Sequence, residues 1–513
     1  MKIRWITAIL CGYLVMNLVG CQSTPEEAVV VDKSEGLPQE SILEVDNENP
    51  KELEVPECWE EILEKDEGFI KLTADCEIEI PEVYSVPVYS YEMKKLTNKE
   101  LSKLCDYFAG ENELYREPLM TKAELIVEKE KLSERVGHWT YYGYSELYEI
   151  EKMINELINE APETRETMTI VEPEFSEPYQ TTLEKYKEML GAASSKYSKF
   201  YFDTNENIGF KARVNNGEEL NPCIYAMNYN SKLGSTTCFL YNQGTFLDER
   251  TIDESLRNAI LSQTGEEYEN YLNEILGEME QIDYSDFTQN NALKRGEEIL
   301  EDLGLNGYEV DTICKAIGNS STESLAEFEN EEELQEIGYS IYYSYEQGNL
   351  VGYEQPLRKP HADLPETIYA PYFAVEQIHM IITEDGIQKF EWDNISEKKG
   401  TIAENVKILT FEEMKEALMN HLFYAGIAMF GEDTKSMEVR FEYRVKNVEL
   451  RMGNVTAFDD SYAVWLVPVW VVTVEKDMIS KAMGVNPLPD EYVVLNAIDG
   501  GYVRPQIDPR LEW

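Results

Sequence analysis

Val464-Trp465-Leu466-Val467-Pro468-Val469-Trp470-Val471-Val472-Thr473-Val474 is apolar at every position but Thr473, and its reading decides the fold. Side chains along a strand alternate between two faces, so a run apolar on both predicts a central strand covered on both sides. Working outward, 437–450 before it and 492–497 after it also read as strands. Asp499-Gly500-Gly501 then turns the chain. Long strands joined by short turns pair antiparallel, so the C-terminal end reads as a strand meander.

Helices announce themselves upstream by capping boxes, a Thr followed three residues later by a Glu, ahead of apolar residues at helical period. Thr97 with Glu100 opens one that puts Leu101, Leu104, Cys105 and Phe108 on one face. Thr121 with Glu124 opens a second. Thr410 with Glu413 opens a third, through Met414, Ala417, Leu418 and either His421 or Leu422. Further helices are expected over 144–158, 181–190, 251–279 and 292–303, the last stopped by Gly304. Strands are expected over 78–91, 200–203, 210–214, 308–317, 337–345, 372–383 and 387–392, with Asp385-Gly386 turning between the last two. The pattern breaks over 283–291. The expected fold is α+β, with two domains that each pack helices on an antiparallel sheet. Their bounds are 61–285 and 286–513, after a signal peptide over 1–20 and an acidic flexible linker over 21–60.

Composition narrows the function. The 513 residues hold 99 Asp and Glu against 45 Lys and Arg, a net charge of -54. Such a chain repels a phosphate backbone, so nucleic acid is excluded as a partner. It is also repelled by anionic lipid unless it carries an anchor. Hydrophobic residues at 43%, with 33 Tyr, suffice for a core and argue against disorder throughout.

The N-terminus reads as an address. Lys2 and Arg4 precede a mostly apolar run to Val19 that is short for a membrane-spanning helix. It ends in Leu18-Val19-Gly20-Cys21, which resembles the lipobox of bacterial lipoproteins. That resemblance implies a diacylglycerol thioether on Cys21 and cleavage before it. An ordinary secretory signal or an uncleaved anchor is the plainer alternative. Between Gln22 and Glu60 stand twelve acids against Lys33 and Lys51, punctuated by Pro25, Pro38, Pro50 and Pro56. A flexible linker of that length holds its ends ~35 Å apart, enough to lift a folded body off the headgroups.

Few residues offer chemistry. The histidines are His138, His361, His379 and His421, and the last two read as satisfied, partly buried side chains. No Cys/His metal spacing occurs, and neither a metal nor a cofactor is expected. Asp203-Thr204-Asn205-Glu206-Asn207 starts like a calcium loop, but Ile208 stands where Gly is needed and Val214 where Glu is needed. Carboxylate pairs of the glycosidase kind cannot be singled out among 99 acids. Cys223 and Cys238 flank what reads as a hairpin loop, so a cross-strand disulfide is one reading and buried thiols the other. Tyr339, Tyr343 and Tyr345 share one strand face with Ile341 and form a candidate ligand platform, with aromatic core packing as the alternative.

The lipobox, followed by Gln22-Ser23-Thr24-Pro25-Glu26-Glu27 and Val29-Val30-Val31-Asp32-Lys33, resembles an uncharacterised lipoprotein family of Gram-positive bacteria that is labelled only a domain of unknown function. The similarity runs through the chain to Val467-Pro468-Val469-Trp470 and Leu495-Asn496-Ala497-Ile498-Asp499-Gly500. Those last segments are also similar to terminal strands of extracytoplasmic accessory proteins that restrain sensor kinases. The resemblance implies a fold and transfers no catalytic residue. The expectation is a lipid-anchored, outward-facing membrane protein that is not an enzyme and binds a protein or envelope ligand. The alternatives are a transporter's solute-binding lipoprotein and a carboxylate-dependent hydrolase.

Overall fold

A computed structural model of the chain describes residues 36–45, 55–80, 86–135, 155–176, 208–230, 235–252, 266–321, 336–353, 368–430, 439–481 and 484–504, apart from single positions or pairs within those spans. The signal peptide expected over 1–20, Cys21, the helix expected over 181–190, the strand expected over 200–203, His138 and His361 lie outside the described residues. Strand outweighs helix among the described residues, 50% against 23%, so the chain is a sheet-rich mixture of both.

In chain order the described strands begin β1 (Cys58–Lys65), β2 (Ile70–Glu77), β3 (Val88–Met93), β4 (Leu114–Arg116), β5 (Thr169–Ile170), β6 (Ile208–Val214) and β7 (Cys223–Asn230). There follow β8 (Ser235–Asn242), β9 (Thr245–Asp248), β10 (Tyr308–Asn319), β11 (Glu336–Gln347), β12 (Leu350–Val351), β13 (Ile368–Tyr369) and β14 (Gln377–Thr383). The last are β15 (Gly386–Asp393), β16 (Ser396–Ala403), β17 (Val439–Ala457), β18 (Asp460–Ser480), β19 (Gly484–Asn496) and β20 (Tyr502–Val503). The helices used below are α1 (Asn98–Ala109), α2 (Lys122–Arg135), α3 (Glu266–Gln281), α4 (Gln289–Leu303) and α5 (Phe411–Phe430).

Two sheets result. Sheet 1 runs β1-β2-β17-β18-β19-β20-β13, with β3 on β18 and β16 on β3. Sheet 2 runs β5-β4-β6-β7-β8-β15-β14-β11-β10-β9, with β12 on β11. Pairings between these strands are antiparallel except β2 with β17 and β13 with β20. The opening stretch lies in β18 between β17 and β3 or β19. Val464, Val467, Val469, Trp470, Val472 and Val474 there are fully buried. The first part of its neighbour β17 alternates, with Val439, Phe441, Tyr443 and Val445 inward and Arg440, Arg444 and Lys446 outward, and the strand is buried throughout from Met452 to Ala457.

The topology corrects the division expected at 285/286. β1 to β3 complete the sheet of β16 to β20, and β8 and β9 pair with β15 and β10, so that boundary would cut both sheets. Within the flexible linker expected over 21–60, the described residues 36–45 and 58–60 join the body instead. Leu37 is fully buried and bridges Ala457, Glu44 bridges Val406, and β1 begins at Cys58. Of the strand expected over 78–91, Val88 to Tyr91 lie in β3, while β2 ends ahead of it at Glu77.

Helices cover these sheets. On sheet 1, α5 buries Phe411, Met414, Leu418 and Leu422, with the Phe411 and Trp470 rings 6.3 Å apart edge-on. On sheet 2, α1 buries Leu101, Leu104 and Cys105, and α4 buries Ala292, Ile299, Leu300 and Leu303. The Thr97 and Thr410 capping boxes form as read, and Thr288 with Asn291 makes another for α4. Gly296 lets α4 settle onto the sheet, because a Cβ there would stand 2.1 Å from the Tyr343 hydroxyl. Polar joints tie the two sheets. Arg451 of β17 pairs with Asp311 of β10, and burial of the pair favours a close, hydrogen-bonded geometry. Glu376, just before β14, accepts from Tyr308 and Trp392 of sheet 2 and from Ser396 of sheet 1.

Candidate functional site

Sheet 2 has an apolar face under α1 and α4 and an opposite face that carries a buried polar row. Register explains the row. Tyr342 of β11 pairs with His379 of β14, which pairs with Glu391 of β15, so three adjacent strands present them side by side. Ser340 sits two residues before Tyr342 on the same face, and Asp248 closes the row from the end of β9. Ser340, Tyr342, Asp248, His379 and Glu391 are all buried.

The bonds are dense. The Ser340 hydroxyl donates to Asp248 Oδ2 at 2.9 Å and lies 2.6 Å from His379 Nε2. The Tyr342 hydroxyl donates to the same Asp248 oxygen at 3.1 Å, while Asp248 Oδ1 accepts from the Thr251 amide at 2.7 Å. The Tyr342 and His379 rings stack in parallel, 4.2 Å apart, and the Arg250 guanidinium stands 4.3 Å from the Tyr342 ring. Lys389 Nζ reaches Glu391 Oε2 at 2.7 Å and His379 Nδ1 at 3.3 Å. Burial, reinforced by the Asp248 charge, pushes the Tyr342 hydroxyl well above its ordinary pKa. The same two causes push the Cys314 thiol up to about 12, which leaves it a poor nucleophile.

Ser340, His379 and Glu391 stand in the order of a serine hydrolase, so the protons decide what they can do. Ser340 has one hydroxyl hydrogen, and Asp248 takes it. The short contact to His379 is then filled by Nε2–H donating to the Ser340 oxygen. Lys389 can only donate, and it faces Nδ1. A ring carrying its proton on Nε2 satisfies both neighbours. A hydrolytic triad needs the opposite tautomer, with Nε2 bare to accept the serine proton and Nδ1–H held by the acid. Here Glu391 lies 3.6 Å from Nδ1, beyond hydrogen-bond reach, and pairs with Lys389 instead. The arrangement ties β9, β11, β14 and β15 together through buried side chains.

Two expected features fall elsewhere. Tyr343 is 1% exposed and Tyr339 9%, both beneath α4 in the sheet-2 core, while Tyr345 meets Tyr308 edge-on at 5.4 Å. The Tyr339, Tyr343 and Tyr345 platform is therefore corrected to aromatic core packing. The Cys223–Cys238 disulfide is corrected too. Cys223 lies opposite Asn242 and Cys238 opposite Met227, four residues apart along paired strands. That offset is roughly 13 Å, well beyond the reach of a disulfide. The hairpin turns two residues later than symmetric cysteines require.

A second titratable cluster lies under α5. His421 stacks on Tyr502 at 3.9 Å, with Glu491 Oε1 4.0 Å from Nε2, and Lys476 bonds Glu491 at 3.1 Å. Burial lowers the His421 pKa to about 4, against the opposing pull of Glu491. Sequence reading missed Asp248, Ser340, Tyr342 and Glu391. The one available signal was the Ser340, Tyr342, Ser344 alternation opposite the apolar face of β11.

Among the described residues no cluster of three or more His, Cys, Asp or Glu is placed to hold a metal ion. No helix among them is long and apolar enough to cross a membrane. No protein-family model and no curated protein matches the chain. Among solved structures, the chain is similar to an uncharacterized protein from Eubacterium rectale ATCC 33656 at 14% identity, over 64% of this chain and 83% of that one, with a TM-score of 0.31. A likeness at that level carries no argument about fold or function.

Proposed function

We propose that the chain is a lipid-anchored extracytoplasmic protein of the uncharacterised lipoprotein family named above, working as a non-catalytic binding or signalling-accessory module at the cell envelope. The observation that carries this reading is the basic Lys2 and Arg4, the short apolar run and Leu18-Val19-Gly20-Cys21. Two acyl chains on Cys21 hold a protein stably where one is marginal. The proton order at Ser340 and His379 supports a binding role over a hydrolytic one. In its finer form the reading takes each sheet with its helices as an α+β layer pair, sheet 1 with α5 and sheet 2 with α1 and α4. A transporter's solute-binding lobes would be built from parallel βαβ units, and the predominantly antiparallel pairing counts against them.

The test is crosslinking in intact cells followed by affinity capture of the full-length protein, with Cys21→Ala captured in parallel. A membrane or wall component enriched with the wild type and lost with Cys21→Ala is the expected result. Recovery of no specific protein or glycan counts against the reading.

A further inference from the structure

The edge of a sheet is a template for a further strand, and chains blunt it with short strands, bulges or proline. Most edges here are blunted in one of those ways. In sheet 2 the terminal strands β5 and β9 have two and four residues. In sheet 1, β13 has two residues, and β16 is broken by two shifts of register against β3. β19 meets β20 only at Leu495, and Pro487 and Pro489 interrupt the stretch before it. β1 carries none of these devices. Its eight residues pair with β2 in one unbroken register, without proline, and it ends the sheet.

β2 decides which groups that edge presents. The Phe69 carbonyl accepts from the Phe441 amide of β17, and the Ile78 amide donates to the Glu57 carbonyl just before β1. Backbone groups alternate in direction along a strand, so even-numbered residues of β2 bond β1 and odd-numbered ones bond β17. The register then turns Trp59, Glu61, Leu63 and Lys65 toward β2, and Cys58, Glu60, Ile62 and Glu64 toward the open edge. Among the described residues no backbone bond is made to those outward amides and carbonyls. The inward side chains pin the strand to α5. The Trp59 ring meets Phe411 edge-on at 5.3 Å, Lys415 reaches Glu61 at 2.7 Å, and Lys65 donates to Asn420. The outward side chains are exposed, Ile62 by 61%. Glu60 lies across from Asp75, Cys58 from Glu77 and Glu64 from Lys71, so this strip sets four carboxylates against one ammonium.

We infer that the open edge of β1 takes an extended, basic peptide segment of another protein as an added strand. The main chain of that segment bonds Cys58, Glu60, Ile62 and Glu64. Its Lys or Arg side chains lie beside Glu60 and Glu64, and an apolar one lies beside Ile62. A second copy of this chain does not fit the edge. Antiparallel about Ile62 it sets Glu60 against Glu64 twice, and in parallel the like acids adjoin again. The inference deepens the binding role proposed above and rests on that reading.

Full-length protein is titrated with the end-blocked peptide Thr-Lys-Thr-Val-Thr-Lys-Thr, and amide exchange is followed by mass spectrometry. The expected result is slowed exchange over 58–65, with binding that weakens as salt rises. The same peptide with Glu in place of both Lys binds roughly tenfold more weakly. Ile62→Pro removes an outward amide and leaves every bond to β2 in place. It lowers affinity for the Lys peptide roughly tenfold or more while exchange in the rest of the protein is unchanged. Glu60→Lys with Glu64→Lys reverses the preference toward the Glu peptide, which tests the same edge should the proline variant not fold. No slowed amide over 58–65, or equal affinity of the wild type for the two peptides, overturns the edge. Crosslinked capture separates this from the reading beneath it. A partner taken equally by wild type and Ile62→Pro overturns the edge and leaves the binding role standing, and no partner with either overturns both.

Discussion

Glu376→Ala strikes the joint between the two sheets. The carboxylate accepts from Trp392 Nε1 at 2.7 Å, from the Tyr308 hydroxyl, and from the amide and hydroxyl of Ser396 at 3.0 and 2.9 Å. Four donors lose their acceptor in one substitution. A hydrogen bond to a charged group contributes ~1.5–3 kcal/mol, and an orphaned donor costs ~1–3 kcal/mol. Glu376 is only partly buried, so water replaces some of what is lost. At ~1 kcal/mol per donor the expected loss is about 4 kcal/mol. Glu376→Gln keeps one acceptor oxygen and turns an NH2 toward the remaining donors, which costs about half as much. Burial also holds this carboxyl above its usual pKa, in spite of its donors. The folded state therefore binds the proton more tightly than the unfolded chain. Its contribution is greatest in acid and is lost as pH rises through the usual carboxylate range into the raised one. The wild-type advantage over Glu376→Gln should shrink accordingly from acid to neutral pH. Urea unfolding followed by tryptophan fluorescence reads both sheets, through Trp392 in sheet 2 and Trp465 and Trp470 in sheet 1. The joint predicts one transition, moved as a whole by Glu376→Ala. A variant within about 1 kcal/mol of wild type, or two transitions of which only one moves, refutes the reasoning.

Three further outcomes are expected. His421 titrates near 4 when folded against 6.5 when free. Its contribution is therefore complete above pH 6.5 and is lost as pH falls toward 4, by roughly 3 kcal/mol. His421→Gln should flatten that part of an acid-unfolding curve, and an unchanged curve would contradict it. Gly36→Ala forces a Cβ against the Ala457 carbonyl in a left-handed conformation. It should release the 36–45 segment to limited proteolysis well before the body is cut; equal cleavage times would show that the segment is not held there. A fluorophosphonate probe should leave Ser340 unlabelled in folded protein, because its proton is committed to Asp248. Stoichiometric labelling at Ser340 would restore the hydrolase reading.

What the sequence made legible was local. Apolar residues on both faces of 464–474 marked a central strand, and threonine-to-glutamate spacing marked the starts of α1 and α5. Strand partners were not legible. Phe441 lies beside Ile70 in sheet 1, far apart in the chain, and a period of two tells which face a residue takes but never which neighbour it meets. The linker reading missed residues 36–45 and 58–60 for a related reason. Leu37, Ile42 and Trp59 stand among acids and prolines in no apolar period, and their burial is decided by sheet 1. The buried row followed the same rule. Ser340 and Tyr342 could be assigned to one face of β11, while His379, Glu391 and Asp248 reach that face from other strands. For the cysteines, a turn two residues later than symmetry required was enough to separate the pair.

Anchoring through Cys21 is the claim from which location, orientation and the binding role all follow. Intact-mass and N-terminal peptide analysis of the protein extracted from membranes tests it most directly. The account predicts a mature chain that begins at Cys21, carries a diacylglycerol thioether and partitions with detergent, with Cys21→Ala moving to the aqueous phase. An unmodified Cys21, or a mature N-terminus elsewhere on a chain that stays in the aqueous phase, contradicts it.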